Sequence, residues 1–214
     1  MPTLFTADGT PGEEFPLGWT KPRANVTVAF RRFVHRRDKH KILIYTDGTC
    51  LDEGKPNARA GAAIVFREIV FGGADGRLHF RLENQGPSRD AHPPTTTRAE
   101  LRAVLCALQY RCWFGENVRT LVLATKSDFV ANGCTGWALR WEQKNWRTSR
   151  GAAVQNKDFW IALLAEFRRL SVEGVHVQLW RIPRELNEEA CIAALQGTEK
   201  EETPRFSQIL GAFV

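Results

Sequence analysis

Hydrophobic and polar positions along the chain predict five strands and four helical regions. The run KILIYTDG, which starts at Lys41, ends in Asp-Gly and predicts a buried strand that enters a turn. Residues 120–125 (TLVLAT) are almost all apolar, which is typical of a central strand. Over residues 98–113, apolar side chains recur at i, i+3, i+4 and i+7, which indicates a helix. The other predicted elements are strands at 61–69, 77–84 and 174–182 and helices at about 127–144, 157–170 and 186–196.

The order of these elements predicts an α/β fold. Three strands with short connections form an antiparallel meander. Two later strands, each reached through a helix, run parallel to the first. We therefore expect a five-stranded mixed sheet with helices on both faces. This domain covers residues 41–197; residues 1–40 form an N-terminal extension, and residues 198–214 form a C-terminal tail.

The N-terminal extension differs from the rest in its prolines and in a basic run, RRFVHRRDKHK, at residues 31–41. Its composition predicts an irregular segment that lays Phe30, Phe33 and Val34 on the domain. The basic run has two interpretations. It could contact nucleic acid, or it could be a solvated charged segment, which is the more common case.

The composition restricts the class of protein. The chain has 214 residues, 43% of them hydrophobic, and a formal net charge of +6, which is compatible with an anionic partner and with solubility alone. No run of 18 apolar residues exists, and the N-terminus does not resemble a secretory signal. The five cysteines lack CxxC spacing and predict reduced thiols. We therefore expect an intracellular protein of the cytoplasm or nucleus that is not secreted.

Two acids are candidate metal ligands. Asp47 ends the first predicted strand, and Glu100 lies in the first turn of the helix at 98–113. Two Mg²⁺ ions about 4 Å apart activate water for attack on a phosphodiester, and each ion requires several oxygen ligands. Two acids alone are equally compatible with an Asp-Gly turn and a carboxylate that interacts with a helix dipole. The residues by themselves leave both interpretations open.

Several segments together resemble the type 1 ribonuclease H family. The resemblance covers residues 41–197 in matching order and spacing, and its last segment is similar to a filamentous-fungal branch with a short final loop. It implies the fold predicted above. It also implies cleavage of the RNA strand of RNA–DNA hybrids, with two Mg²⁺ ions held by an Asp-Glu-Asp-Asp set. The segments are YTDGTC (45–50), TTTRAELRAV (95–104), residues 121–149, VQNKDFW (154–160) and VQLWRIPRELNEEAC (177–191).

The chain departs from this set at two positions. The resemblance places the first two acids at Asp47 and Glu100, but Lys126 and Cys191 occupy the other two positions. Two carboxylates and one ammonium leave a net charge of −1 where the intact set has four negative charges. An ammonium repels divalent cations and attracts carboxylates, by about 4 kcal/mol at 4 Å and an effective dielectric constant of about 20, before desolvation. We expect Lys126 to bridge Asp47 and Glu100, with no metal cofactor.

A substitute acid would restore the metal site. Asp128 follows Lys126 by two residues and could turn inward, with Glu185, Glu188 or Glu189 as the second substitute. If residue 128 begins a helix, it points away from residue 126 and interacts with the helix dipole instead. With a substitute acid, the protein would be an Mg²⁺-dependent ribonuclease H.

The resemblance also implies nucleic-acid contacts in two grooves, one for DNA and one for 2′-hydroxyls. Stacking requires flat apolar faces with cations nearby, and Lys144, Arg147 and Arg150 interleave with the tryptophans. The alternative is that the tryptophans only pack their helix. Trp137 precedes Trp141 by four residues and is expected to face inward. The candidate nucleic-acid-binding residues are Cys50, Thr95, Phe129, Trp141, Trp146, Thr148, Ser149 and Asn156.

Three functional hypotheses follow. The first is a catalytically impaired ribonuclease H-like protein that binds RNA–DNA hybrid or duplex nucleic acid. The second is an active hybrid nuclease. The third is a protein-interaction or dimerisation module, in which the N-terminal extension and an apolar C-terminal tail dock a partner or a second copy. The tail residues concerned are Phe206, Ile209, Leu210, Phe213 and Val214.

Overall fold

The computed structural model describes residues 1–22, 29–67 and 76–211, which build a mixed sheet with helices on both faces. The described strands are β1 (Thr3–Leu4), β2 (Leu17–Thr20), β3 (Phe30–His35), β4 (Asp38–Leu51), β5 (Arg59–Val65), β6 (Arg77–Arg81), β7 (Thr120–Thr125) and β8 (His176–Arg181). The described helices are α1 (Pro11–Glu14), α2 (Thr96–Gln109), α3 (Asp128–Asn132), α4 (Ala138–Gln143), α5 (Lys157–Val172) and α6 (Glu188–Gly197). A π-helical turn (Gly133–Trp137) joins α3 to α4, and a 3₁₀ turn (Arg184–Leu186) precedes α6.

The five predicted strands form the centre of the sheet in the order β6-β5-β4-β7-β8. The strands β4, β5 and β6 make the antiparallel meander, while β7 runs parallel to β4 and β8 parallel to β7. The predicted α/β class and mixed sheet are confirmed. Among the described residues, β1, β2 and β3 enlarge this sheet to eight strands.

Helices cover the two faces differently. The apolar stripe of α2 and the inner face of α5 pack on one face, where Leu101, Leu105 and Trp160 are fully buried. On the other face, α6 packs closely through Ala193 and Ala194 against Ala63 of β5. Among the described helices, none combines the length and apolar character of a membrane span.

The predicted turn at Asp47-Gly48 is wrong, because β4 continues to Leu51 and Asp47 pairs with Ala63 of β5. The glycine serves close packing instead. A Cβ atom at Gly48 would lie 2.2 Å from the backbone nitrogen of Glu100. Glycine therefore lets the first turn of α2 rest on β4, which brings Glu100 to the same edge as Asp47.

The N-terminal extension was predicted to be irregular. This prediction is wrong, because the extension builds strands and a helix. Thr10 and Glu13 cap α1 through reciprocal hydrogen bonds, β1 adds to the β8 edge, and the β2–β3 hairpin adds to the first half of β4. The ring of Phe15 is 1% exposed and lies 5.9 Å from that of Trp180. The extension thus covers sheet surface that α6 leaves open.

The basic run lies largely in β3 and the start of β4. Phe30 and Val34 are buried, as expected. Arg32 is also buried, because it pairs with Glu116 at 2.9 Å, and Arg36 pairs with Glu14 at 2.7 Å. The sequence pattern could not reveal the first pair, since its partners are 84 residues apart.

The C-terminal tail packs against its own domain. Phe206 and Ile209 lie on the main hydrophobic core. The fully buried guanidinium of Arg102 lies 4.6 Å from the Phe206 ring and donates a hydrogen bond to a tail carbonyl. Leu210 is 68% exposed. Docking of Phe206 and Ile209 on a partner would require the tail to leave this position; Phe213 and Val214 lie outside the described residues.

Candidate nucleic-acid interface and acid edge

The acid edge (Asp47, Glu100, Lys126 and Cys191) lies where β4, α2, β7 and α6 meet. Asp47 is 1% exposed and Glu100 is 8% exposed. Lys126 follows the last residue of β7, and Cys191 lies in the first turns of α6. The fold therefore brings the four predicted positions to one edge of the sheet.

Lys126 forms an ion pair with Asp47. Its Nζ lies 2.7 Å from Asp47 Oδ2 and 3.8 Å from Cys191 Sγ. Within the described ranges, no ion pair under 4.0 Å joins Lys126 to Glu100, so the predicted bridge between the two acids is wrong. The ammonium lies between the carboxylate and the thiol instead, and Asp47 Oδ1 is buried without a hydrogen-bond partner.

Burial sets the protonation of the other two groups. Burial raises the pKa of the Glu100 carboxyl to about 7, and the negative charge of Asp47 adds to the rise. A hydrogen bond from Ser127 acts in the opposite direction and lowers this pKa. Burial and Asp47 also raise the pKa of the Cys191 thiol to about 11. Cys191 is therefore a neutral thiol near pH 7.

The residues at this edge do not fit a pair of divalent cations. Ion binding needs several oxygen anions free to coordinate, whereas the Lys126 ammonium is paired with one Asp47 oxygen. A neutral thiol is a poor ligand for a hard cation. In the part of the chain that the structure describes, no cluster of three His, Cys, Asp or Glu side chains could hold a metal ion.

The candidate substitute acids lie in different places. Asp128 starts α3, and its side chain is 73% exposed and pairs with Arg181 at 3.1 Å. Glu185 and Glu188, by contrast, line a cleft of about 440 Å³ together with Asp47 and Lys126. Glu189 lines only a neighbouring depression beside α1, which Glu185 and Glu188 also line. Asp128 thus begins a helix and points away from the acid edge, which is the alternative to the inward position, whereas Glu188 faces the cleft.

The aromatic groove is a second feature, about 430 Å³ in volume, on the helical region after β7. It is lined by Trp137, Arg140, Trp141, Lys144, Arg147, Thr148 and Ser149. Trp137 was expected to face inward, but it is half-buried and lines this groove. Arg140 is exposed and also lines the groove.

The aromatic rings of this region pack against one another in tilted and edge-to-face arrangements. Phe129 lies 6.4 Å from Trp141, and Trp141 lies 5.4 Å from the buried Trp160. A Cβ atom at Gly133 would lie 2.3 Å from the Trp160 ring, so glycine lets the π-helical turn pack on it. Trp146 packs against the core, with Lys157 Nζ 6.0 Å from its ring centroid, and is not part of the groove lining.

A third, larger cleft of about 830 Å³ contains Thr95, Phe129 and Asn156. Thr95 caps α2, and Asn156 precedes α5 with a left-handed backbone (φ 57°). The sequence did not single out Arg98, which organises this cleft. Its buried guanidinium donates to Asn156 and pairs with Asp158 at 2.8 Å. The only sequence signal was its place between Thr95 and Glu100.

Cys50 and Glu53 lie in the region where contacts to 2′-hydroxyls were expected. The Cys50 thiol is turned toward the backbone carbonyl of Pro94, with the sulfur and the oxygen 3.5 Å apart. Glu53, which sequence reasoning missed, accepts hydrogen bonds from the amide and hydroxyl of Thr96 at 2.9 and 2.8 Å. A carboxylate thus occupies the start of α2, where a nucleic-acid backbone would meet negative charge.

Comparison with known proteins finds similarity to ribonucleases H. Residues 39–199 match the RNase H family model. Human ribonuclease H1 is 32% identical over 165 residues, covering 75% of this chain and 51% of the human protein. Ribonuclease H of Treponema pallidum is 36% identical over 132 residues, covering 62% of this chain and 76% of that protein. The chain spans about half the length of the mammalian relatives.

Solved structures share the fold at low identity. The solution structure of the PFV RNase H domain has a TM-score of 0.53 at 17% identity and covers 73% of this chain and 93% of that one. The foamy viral protease-reverse transcriptase in complex with RNA/DNA hybrid also has a TM-score of 0.53 at 17% identity. That match covers 92% of this chain and 22% of the viral one.

Proposed function

Because the chain belongs to the ribonuclease H family, we propose that it binds RNA–DNA hybrid or duplex nucleic acid without two-metal hydrolysis. The observation that carries the proposal is the 2.7 Å ion pair between Lys126 and Asp47. A cation occupies the position where the family gathers anions, and it neutralises the buried carboxylate on which a metal ion would depend.

The aromatic groove supports retained binding. Trp141 and Trp137 offer flat faces for sugar or base stacking. Arg140, Lys144 and Arg147 supply positive charge for phosphate beside these rings. The viral enzyme of the same fold was solved in complex with an RNA/DNA hybrid. Since the chain spans about half the length of the human relative, the role of the whole protein is also part of this proposal.

A cleavage assay tests the proposal. A labelled RNA–DNA hybrid is incubated with the protein and Mg²⁺ or Mn²⁺, and a gel-shift assay measures binding in parallel. We expect binding without cleavage. The variant Lys126→Asp/Cys191→Asp restores the acidic set and is expected to gain cleavage. Robust cleavage by the parent protein that Asp47→Asn abolishes would contradict the proposal.

One observation favours a second candidate function, a hybrid nuclease with a substitute acid. Glu185 and Glu188 line the same cleft as Asp47. Outward rotation of Lys126 would free Asp47, which interacts with Glu100, in the cleft that Glu188 also lines. In that case the parent protein cleaves the hybrid, and Glu188→Gln removes the activity while Asp128→Asn retains it.

A further inference from the structure

The β2–β3 hairpin presents an exposed tryptophan that the proposed function does not use. Trp19 lies opposite Arg31 in the hairpin and is 63% exposed. The Arg31 guanidinium lies 5.9 Å from the centroid of the Trp19 ring. Beside the ring is a depression of about 400 Å³, whose lining includes Lys21 and Lys39. We call Trp19, Lys21, Arg31 and Lys39 the Trp19 platform.

The Trp19 platform is electropositive. Lys21, Arg31 and Lys39 are exposed, and none has a carboxylate within 4.0 Å in the ranges that the structure describes. The carboxylate that lines the depression belongs to Glu116, which is buried and engaged by Arg32 and Arg111. The cations are therefore available to an anionic ligand.

The platform is separate from the acid edge. His40, which also lines the depression, and Asp47 lie seven residues apart on β4. At about 3.3 Å per residue, this separation is roughly 23 Å along the strand. Thr120, which pairs with Lys41, lies at one end of β7, and Lys126 follows the other end. A ligand on the platform would thus occupy the other end of the sheet.

We propose that the Trp19 platform binds single-stranded nucleic acid. An exposed indole next to cations fits an unpaired base that stacks while its phosphates contact lysine or arginine. A duplex fits less well, because stacking on the neighbouring bases hides the base faces from a side chain. The inference does not depend on hybrid binding in the aromatic groove, since the two surfaces share no residue.

Fluorescence anisotropy with a labelled oligothymidylate of about 15 nucleotides tests the proposal. Trp19→Ala is expected to weaken binding about ten-fold, as loss of one stacked base does. Lys21→Ala/Lys39→Ala is expected to lower the slope of log affinity against log salt by about 1.4, because two phosphate contacts are lost. Lys200→Ala/Arg205→Ala removes two exposed charges elsewhere and serves as the matched control.

The reciprocal variant Trp141→Ala separates the two surfaces. If the proposal holds, Trp141→Ala weakens hybrid binding more than oligothymidylate binding, and Trp19→Ala does the reverse. Unchanged oligothymidylate affinity in Trp19→Ala would overturn the proposal. So would an equal loss in Trp141→Ala, since the single strand would then lie in the aromatic groove. Circular dichroism and the melting temperature establish that each variant is folded.

Discussion

Lys126 of the acid edge and Trp137 of the aromatic groove lie eleven residues apart, yet they belong to regions whose polar groups are used differently. At the acid edge, the ammonium of Lys126 is paired with buried Asp47, and Cys191 beside it is neutral. In the aromatic groove, exposed cations surround half-buried rings and face solvent. A metal site requires several unpaired acids at once, so a single cation removes it. A groove that contacts sugars and phosphates through several side chains can lose one contact and still bind nucleic acid.

The largest expected effect concerns the pH dependence of stability at Glu100. Its carboxyl has a folded-state pKa raised to about 7, from 4.5, so the folded protein retains a proton that the unfolded chain has lost. Stability therefore falls as pH rises from about 4.5 to about 7. Integrated from about pH 5 to about pH 8, this contribution is about 2.5 kcal/mol.

The variant Glu100→Gln removes the titration and keeps a polar side chain. We expect its free energy of unfolding to exceed that of the parent by an amount that grows by about 2.5 kcal/mol between about pH 5 and about pH 8. Urea denaturation at several pH values measures the difference, with Glu199→Gln as an exposed control. A constant difference across this range would mean that the pKa of Glu100 is the same in the folded and the unfolded state.

A smaller effect is expected for the ion pair itself. Lys126→Met leaves the Asp47 carboxylate buried and unpaired, which should reduce the free energy of unfolding by about 2 kcal/mol. This is less than the usual cost of breaking a buried ion pair, because Lys126 is partly exposed. The double variant Lys126→Met/Asp47→Asn should recover most of this loss. Lys200→Met is the matched control. Equal stability of parent and Lys126→Met would show that the pair does not stabilise the fold.

The smallest expected effect is in the aromatic groove. Trp141→Ala should weaken binding of an RNA–DNA hybrid about ten-fold, or about 1.4 kcal/mol. It should also lower the melting temperature, because the Trp141 ring packs on Trp160. Gel-shift titration at fixed salt measures the affinity, and Val172→Ala, an exposed position on α5, is the control. If Trp141→Ala binds the hybrid as tightly as the parent, the groove does not hold the nucleic acid.

The sequence predicted the central sheet because its strands are nearly continuous apolar runs, as in β7, and because α2 has a regular apolar stripe. It also identified the four positions of the acid edge. It failed at Gly48, where local turn chemistry suggested a loop but packing against α2 required a glycine within a strand. It failed again for the bridge to Glu100, because the direction of a lysine side chain depends on the packing around it.

Long-range partners explain the remaining differences. The strands of the N-terminal extension are short, and the prolines elsewhere in the extension suggested an irregular segment. However, β1 and β3 gain hydrogen bonds from strands of the central sheet. Arg98 and Arg102 resembled ordinary helix cations, although each is buried against an acid distant in sequence, Asp158 and Glu83 respectively. Composition and periodicity carry no information about such pairs.

The N-terminal and C-terminal segments show that the part of the chain matched by the family is smaller than the part that folds together. The family match spans residues 39–199, but Phe15 closes one apolar surface and Phe206 covers the guanidinium of Arg102. A protein trimmed to the matched residues would expose Trp180 to water and deprive Arg102 of its carbonyl partner. Homology boundaries would therefore be a poor guide to expressing this domain, whose flanking segments contribute to its interior.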